Sequence, residues 1–286
     1  MAGFLEVKKE WKCFGGTLKQ LTHQSEAVGT PMRFSIFLPP QAESSPVPVL
    51  YYLSGLTCTD ENFTQKGGAY RLASKLGIAV VAPDTSPRGA GIEGEDSGWD
   101  FGTGAGFYLN ALQPGWKDHY RMYDYITKEL VEIVCSNFPV DPNRKSITGH
   151  SMGGHGALTI AFKNPSAYKS VSAFAPICHP INCPWGDKAF TGYLGTDKEL
   201  WKEYDATILM KEKGPFPSFS DILIDQGAAD DFLAANQLQP EALQAACAEK
   251  NQKVSVRMQE GYDHSYFFIA SFMEDHIQFH ADALHS

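Results

Sequence analysis

The chain has 286 residues, 43% of them hydrophobic and 20% charged, with 24 basic against 33 acidic side chains and a formal net charge of −9. That length is ample for a sizeable core, and the composition is that of a globular protein. The acidic balance argues against nucleic acid and against an anionic membrane surface as partners, and no apolar run approaches the length of a membrane span.

Residues 1–10 are charged and lack the apolar core of a secretory signal. Two β-like runs, 17–21 and 33–38, are closed by Pro39-Pro40. Residues 47–54 form a continuous apolar strand suited to burial on both faces. A short helix over 70–76 leads to a second buried strand, 78–82, that ends at Pro83. Residues 84–115 are Gly-rich and carry Trp99, Phe101, Phe107 and Tyr108. So long a stretch without periodicity is a functional loop system or a linker, and its aromatics favour an ordered lid. A helix over 123–138 shows the stripe Ile126, Leu130, Val134 and Phe138 and stops at Pro139.

Next comes the most informative stretch, Gly149-His150-Ser151-Met152-Gly153, set between the strand Lys145-Ser146-Ile147-Thr148 and a small-residue helix running to Asn164. G-x-S-x-G at a strand-to-helix turn is a nucleophile elbow. Nothing larger than hydrogen fits two residues before or after the serine in so tight a turn. Ser151 is thereby exposed at a helix N-terminus, where the Met152 N–H serves an oxyanion hole.

A strand over 170–175 follows, and residues 176–220 hold irregular structure and short helices suited to an insertion over the site. Asp221-Ile222-Leu223-Ile224 reads as a buried strand whose exit loop holds Asp225, Asp230 and Asp231. A helix opens at Pro240, a strand spans 254–258, and its exit loop, Glu260 to Ser265, leads into an apolar helix over 266–283. Serine needs a base, and the base needs an orienting carboxylate. In this architecture the chain order is Ser, Asp or Glu, then His, on loops at the carboxyl ends of parallel strands. His264 is the base. Asp230 is the preferred acid, since its loop has room to reach His264; Asp225, which suits a turn-capping role beside its own backbone, and Asp231 are the alternatives.

Among the other histidines, His150 and His155 flank the elbow and suit support of the turn. His276 and His280 have i,i+4 spacing without the H-E-x-x-H zinc signature, which points to a solvated helix face. His179 reads as satisfying a buried loop, while His23, His119 and His285 carry no local partner pattern. The six cysteines, Cys13, Cys58, Cys135, Cys178, Cys183 and Cys247, show neither a disulfide framework nor structural-zinc spacing. They read as free thiols of a cytosolic protein, and neither a metal nor another cofactor is expected. The alternation of strand and helix, without repeats or a linker, predicts one α/β-hydrolase domain over 1–286: a mostly parallel, doubly wound sheet with helices on both faces and loop regions at about 84–115 and 176–220.

Several stretches, some without a catalytic role, resemble the S-formylglutathione hydrolase (esterase D) family. They are Leu53-Ser54-Gly55-Leu56-Thr57-Cys58-Thr59, residues 82–89, Gly149 to Gly154, Cys183-Pro184-Trp185-Gly186, Asp225-Gln226-Gly227, and Gly261-Tyr262-Asp263-His264-Ser265. The resemblance runs from about residue 5 to the C-terminus. It implies a cytosolic, commonly dimeric serine thioesterase that hydrolyses S-formylglutathione, with its triad at Ser151, Asp230 and His264. Leu56, in the loop leaving an early strand, is expected to supply the second oxyanion N–H. Cys58 and Trp185 are candidate substrate-binding walls, against the plainer roles of a small buried hydrophobe and a core anchor. A general short-chain carboxylesterase or an acyltransferase would share the triad, whereas an inactive scaffold would not need to keep it.

Overall fold

The computed structural model describes residues 5–286; the first four residues of the charged N-terminal segment lie outside it. Nine strands form one sheet: β1 (Glu6–Cys13), β2 (Gly16–Gln24), β3 (Pro31–Leu38), β4 (Val47–Leu53), β5 (Ala79–Pro83), β6 (Val140–Gly149), β7 (Val171–Phe174), β8 (Ile222–Gly227) and β9 (Ser255–Gln259), in the spatial order β1-β2-β3-β5-β4-β6-β7-β8-β9. The first three strands are antiparallel, β3 meets β5 antiparallel, and β5 through β9 run parallel. A parallel sheet puts its loops of one kind on one edge, which is where the site will be found.

Burial separates the strands that the sequence announces from the one it conceals. Every residue of β4 and β5 is buried, in keeping with their unbroken apolar runs. β1, absent from the sequence reading, has seven exposed residues and one half-buried one, with no apolar alternation. It is held by pairing with β2 through the turn at Phe14 and Gly15, both at positive φ (45° and 81°), as a two-residue hairpin with matching twist requires. A helix over Asp60–Lys66 was also not anticipated; it is closed by a capping box in which Thr59 and Asn62 bond each other's backbone. The 123–138 helix is broken locally into a π-turn at Tyr125–Glu129, yet keeps Ile126, Leu130 and Val134 buried on one stripe.

Two helices show how the sheet is covered on both faces. Gly154 of the helix Met152–Lys163 sits so close to β7 that an added Cβ would lie 3.3 Å from the Cβ of Ala173. The neighbouring residue, Ser172, bonds instead to His276 and His280 of the helix Tyr266–Leu284. Successive strand residues face opposite ways, so these helices cover opposite faces. His276 and His280 correct the expectation of a solvated helix face: both rings are fully buried. His280 bonds Ser170 and Ser172 through its two nitrogens, both at 2.7 Å, and Ser146 and Thr148 of β6 complete the ladder. Buried hydroxyls and imidazoles without partners would cost several kcal/mol, roughly 1–3 each, and here they satisfy one another.

Asp225 is likewise no turn cap. It lies in β8, fully buried, and takes bonds from Arg257, Gln259 and His276. Burial works against its charge, but these donors hold its carboxyl down at about 2. His23, His119 and His285 also find partners far away in sequence, at Tyr125, Val28 and Leu76. No described helix is long and apolar enough to cross a membrane.

Candidate active site

The site lies at the carboxyl ends of β4, β6, β8 and β9. Ser151 takes φ 57° and ψ −120°, a region that non-glycine residues avoid at a cost of about 1–3 kcal/mol. The strain is held by hydrogen bonds to the strands on either side: the His150 N–H donates to Leu53 (3.0 Å) and the Ser151 N–H to Phe174 (2.9 Å). The steric need for glycine is explicit. A Cβ at Gly149 would lie 2.3 Å from the Gly153 carbonyl oxygen, and one at Gly153 would lie 2.0 Å from that of Leu53.

His264 leaves β9 and places Nδ1 2.5 Å from Asp230 Oδ2. Asp230, at the exit of β8, is buried, and it accepts further bonds from the Phe232 N–H (2.8 Å) and the Gln226 side chain (3.0 Å). Burial alone would raise its pKa; the bond and charge of His264 with the two added donors lower it, so the carboxylate stays ionised. Of the three aspartates in that loop region, only Asp230 is bonded to His264; Asp225 is spent on Arg257 and His276.

Ser151 and His264 share the wall of a cavity of about 280 Å³. Cys58 and Trp185 also line it, as does Leu56. Among the described residues, no carbonyl accepts from the Leu56 or Met152 amides, so both are unspent as donors. The Leu56 loop is tied down on both sides. The Thr57 N–H donates to Gly104 (2.9 Å), and the Cys58 carbonyl accepts from Thr85 (2.5 Å) and Arg88 (3.1 Å). Arg88 is in turn clamped by both oxygens of buried Asp84 at 2.9 Å. Within residues 84–115, Trp99 lines the cavity and Phe107, Tyr108 and Leu109 are fully buried.

Burial raises the Cys58 thiol pKa, only partly offset by the neighbouring Tyr266 hydroxyl and Lys66, so the thiol is protonated at neutral pH. Trp185 packs on Phe232 (ring centroids 4.7 Å apart) and edge-on to Trp99 (5.8 Å), and Phe232 in turn touches His264 (4.8 Å). His150 lies against His264 with centroids 4.4 Å apart, and burial, then the His264 charge, drive its pKa well down. A neutral ring there does not compete with His264 for a proton. His155 bonds the Phe107 carbonyl (3.0 Å) and His179 pairs with Asp205 (2.9 Å), both in supporting positions.

Sequence reasoning passed over Phe232, Asn62, Tyr266 and Gln226. Phe232 carried a signal, lying two residues past Asp230; Asn62 and Tyr266 enter the cavity from helix starts whose placement only the tertiary structure sets. Among the described residues no cluster of three or more His, Cys, Asp or Glu side chains is arranged to hold a metal.

Comparison with known proteins agrees with this architecture. Residues 25–279 match the esterase family described as "Putative esterase". The S-formylglutathione hydrolase of Bos taurus is 58% identical over 275 residues, covering 96% of this chain and 97% of that protein. That of Paracoccus denitrificans is 56% identical over 279 residues, covering 98% of each. The solved S-formylglutathione hydrolase of Agrobacterium tumefaciens superposes with a TM-score of 0.94 at 46% identity, covering 97% of this chain and 99% of that one.

Proposed function

Because the chain belongs to the S-formylglutathione hydrolase family of esterases, we propose that it hydrolyses S-formylglutathione to formate and glutathione through an acyl-enzyme on Ser151. The observation that carries this reading is the strained Ser151 sharing one cavity with His264, whose far nitrogen is held by ionised Asp230. With Nδ1 engaged by Asp230, Nε2 is the nitrogen that takes the Ser151 proton. Ser151 Oγ attacks the formyl carbon, and the carbonyl π electrons pass to its oxygen. The Leu56 and Met152 N–H groups meet that oxyanion, each typically worth about 3 kcal/mol. Collapse breaks the C–S bond; the glutathione sulfur leaves and takes the proton from His264. A water then repeats the cycle on the formyl ester, releasing formate and restoring the serine.

The thiol leaving group has a pKa of roughly 8.5, so its protonation demands less than that of an alkoxide. Formyl is the smallest acyl group, and the packed Trp185–Phe232 pair and Cys58 support a cavity that excludes larger ones. On this reading Cys58 and Trp185 bind substrate by shape and take no part in proton transfer. The chain works as a single α/β-hydrolase domain, with 84–115 and 176–220 forming the walls over the site. A cytoplasmic homodimer completes the proposal; the exposed edge strand β1, with Trp11 43% and Phe14 52% exposed nearby, supports a self-contact.

The test is turnover of S-formylglutathione against a short-chain aryl ester by wild type and Ser151→Ala. Strong preference for the thioester, with both activities lost in Ser151→Ala, is the expected result. Turnover of the aryl ester alone would make the protein a general esterase, and transfer to an added alcohol would make it an acyltransferase. Fluorophosphonate labelling that persists in Ser151→Ala would remove the nucleophile.

A further inference from the structure

We infer that Gln226 is a positioning residue for the triad: its side-chain amide fixes the carboxylate oxygen of Asp230 that holds His264. The role presupposes the Ser151–His264–Asp230 mechanism proposed above, but not the identity of the acyl group.

Side chains alternate along β8, so Asp225 and Gln226 face opposite sides of the sheet. Asp225 turns to His276 of the last helix, whereas Gln226 turns to the loop that carries Asp230. Gln226 is fully buried. Its Nε2 donates to Asp230 Oδ2 at 3.0 Å and to the Gly227 carbonyl at 3.1 Å. Both partners only accept, which settles the orientation of the amide: nitrogen, not oxygen, faces them. Asp230 Oδ2 is also the oxygen that His264 Nδ1 approaches at 2.5 Å, while Oδ1 is taken by the Phe232 N–H at 2.8 Å. Amide and imidazole therefore meet on one atom.

Two further observations separate this from ordinary core packing. Gln226 Oε1 is buried and has no hydrogen-bond partner among the described residues, a cost that an apolar side chain of similar size would not incur. The amide satisfies its two acceptors and leaves its own oxygen bare. Gly227, whose carbonyl it holds, lies where the loops of acid and base meet. A Cβ on Gly227 would be 2.4 Å from the Tyr262 carbonyl oxygen and 2.5 Å from that of Asp263. Just beyond, the Ala228 and Ala229 N–H groups donate to the Gln259 and Tyr262 carbonyls, both at 2.9 Å. The backbone is thus seamed to the loop of His264, and Gln226 ties the Asp230 carboxylate to that seam. Without the amide, Asp230 keeps its Phe232 bond, but Oδ2 is held by His264 alone.

The experiment measures kcat, KM and the pH dependence of kcat/KM for wild type, Gln226→Leu and Gln226→Glu, on S-formylglutathione and on a short-chain aryl ester. Gln226→Leu removes the donor. We expect kcat to fall about tenfold on both substrates with KM little changed, less than the roughly hundredfold of a 1 Å misplacement. The acid limb of its profile moves up by about half a pH unit, because a carboxylate shared with fewer donors favours the imidazolium more. Gln226→Glu has the same shape but donates only through a protonated carboxyl. It recovers activity relative to wild type at the acid end of the profile and loses it as pH rises. Wild-type kcat in a folded Gln226→Leu overturns the inference. So does a loss of kcat with the acid limb unmoved, the mark of a merely structural role. Should Gln226→Leu fail to fold, Gln226→Glu decides, and a profile of wild-type shape in that variant overturns the inference. If the wild type turns over the aryl ester alone, the thioester reading fails, and Gln226 stands or falls on the aryl ester profiles.

Discussion

Acidification should destabilise this protein well before its carboxylates titrate, and His155 allows the effect to be sized. The ring is fully buried behind the elbow, and burial lowers its pKa to about 4, against partial compensation from the Phe107 carbonyl and Asp205. An unfolded histidine titrates near 6.5. The folded value is the lower one, so the unfolded chain binds the extra proton between about pH 6.5 and 4. Stability is therefore full above pH 6.5 and falls by about 1.4 kcal/mol per pH unit below it. At pH 5 this residue alone removes about 2 kcal/mol, a large share of a typical 5–15 kcal/mol. Burial lowers His150, His276 and His280 as well, so their effects have the same sign. Urea unfolding followed by tryptophan fluorescence at pH 7.5, 6 and 5 measures the slope. His155→Gln keeps a donor for Phe107 and should flatten the slope by about one proton's worth. Equal stability at pH 7.5 and 5, or an unchanged slope in His155→Gln, would refute the reasoning.

Three further outcomes are expected. Gly153→Ala brings a Cβ to 2.0 Å from the Leu53 carbonyl, backbone against backbone, so stability should drop by about 3 kcal/mol and fluorophosphonate labelling of Ser151 should vanish; a soluble, labelled variant contradicts this. Trp185→Ala removes the aromatic that packs on Phe232 and should shift the formyl-to-butyryl activity ratio towards butyryl by about tenfold, on the scale of one or two methylenes in an apolar pocket. An unchanged ratio takes Trp185 out of the acyl wall. Cys58→Ser should leave turnover within about threefold of wild type while abolishing inhibition by alkylating reagents, since a protonated thiol on the cavity wall blocks the site only when enlarged; a dead enzyme would mean the thiol does more.

What could be read from the sequence was what local sterics and the apolar pattern dictate. The elbow announces itself because Gly149 and Gly153 have carbonyl oxygens where a Cβ would go, and no other residue type fits. β4 and β5 were legible because burial on both faces writes an unbroken apolar run. β1 was not, because an exposed edge strand needs no apolar face and is defined only by its partner. The histidines of the last helix were misread for a related reason. His276 and His280 look like a polar face until Ser170, Ser172 and Asp225, some 51 to 110 residues earlier, supply buried partners. Among the three neighbouring aspartates the sequence left open, Asp230 is the one bonded to His264, whereas Asp225 is claimed by Arg257, partners that only the tertiary structure brings together.

The order of parts along the chain sets when activity can first appear during synthesis. Ser151, its strained turn and the Leu56 and Met152 amides lie in the first six strands, the loop after β4 and the helix after β6, yet His264 follows β9, the last strand. The helix that anchors its loop, Tyr266–Leu284, is made last and is fastened to the sheet by His276 and His280. On the proposed mechanism, a nascent chain on the ribosome therefore presents the nucleophile before its base has been made. The serine then gains its general base only when the final segment has docked.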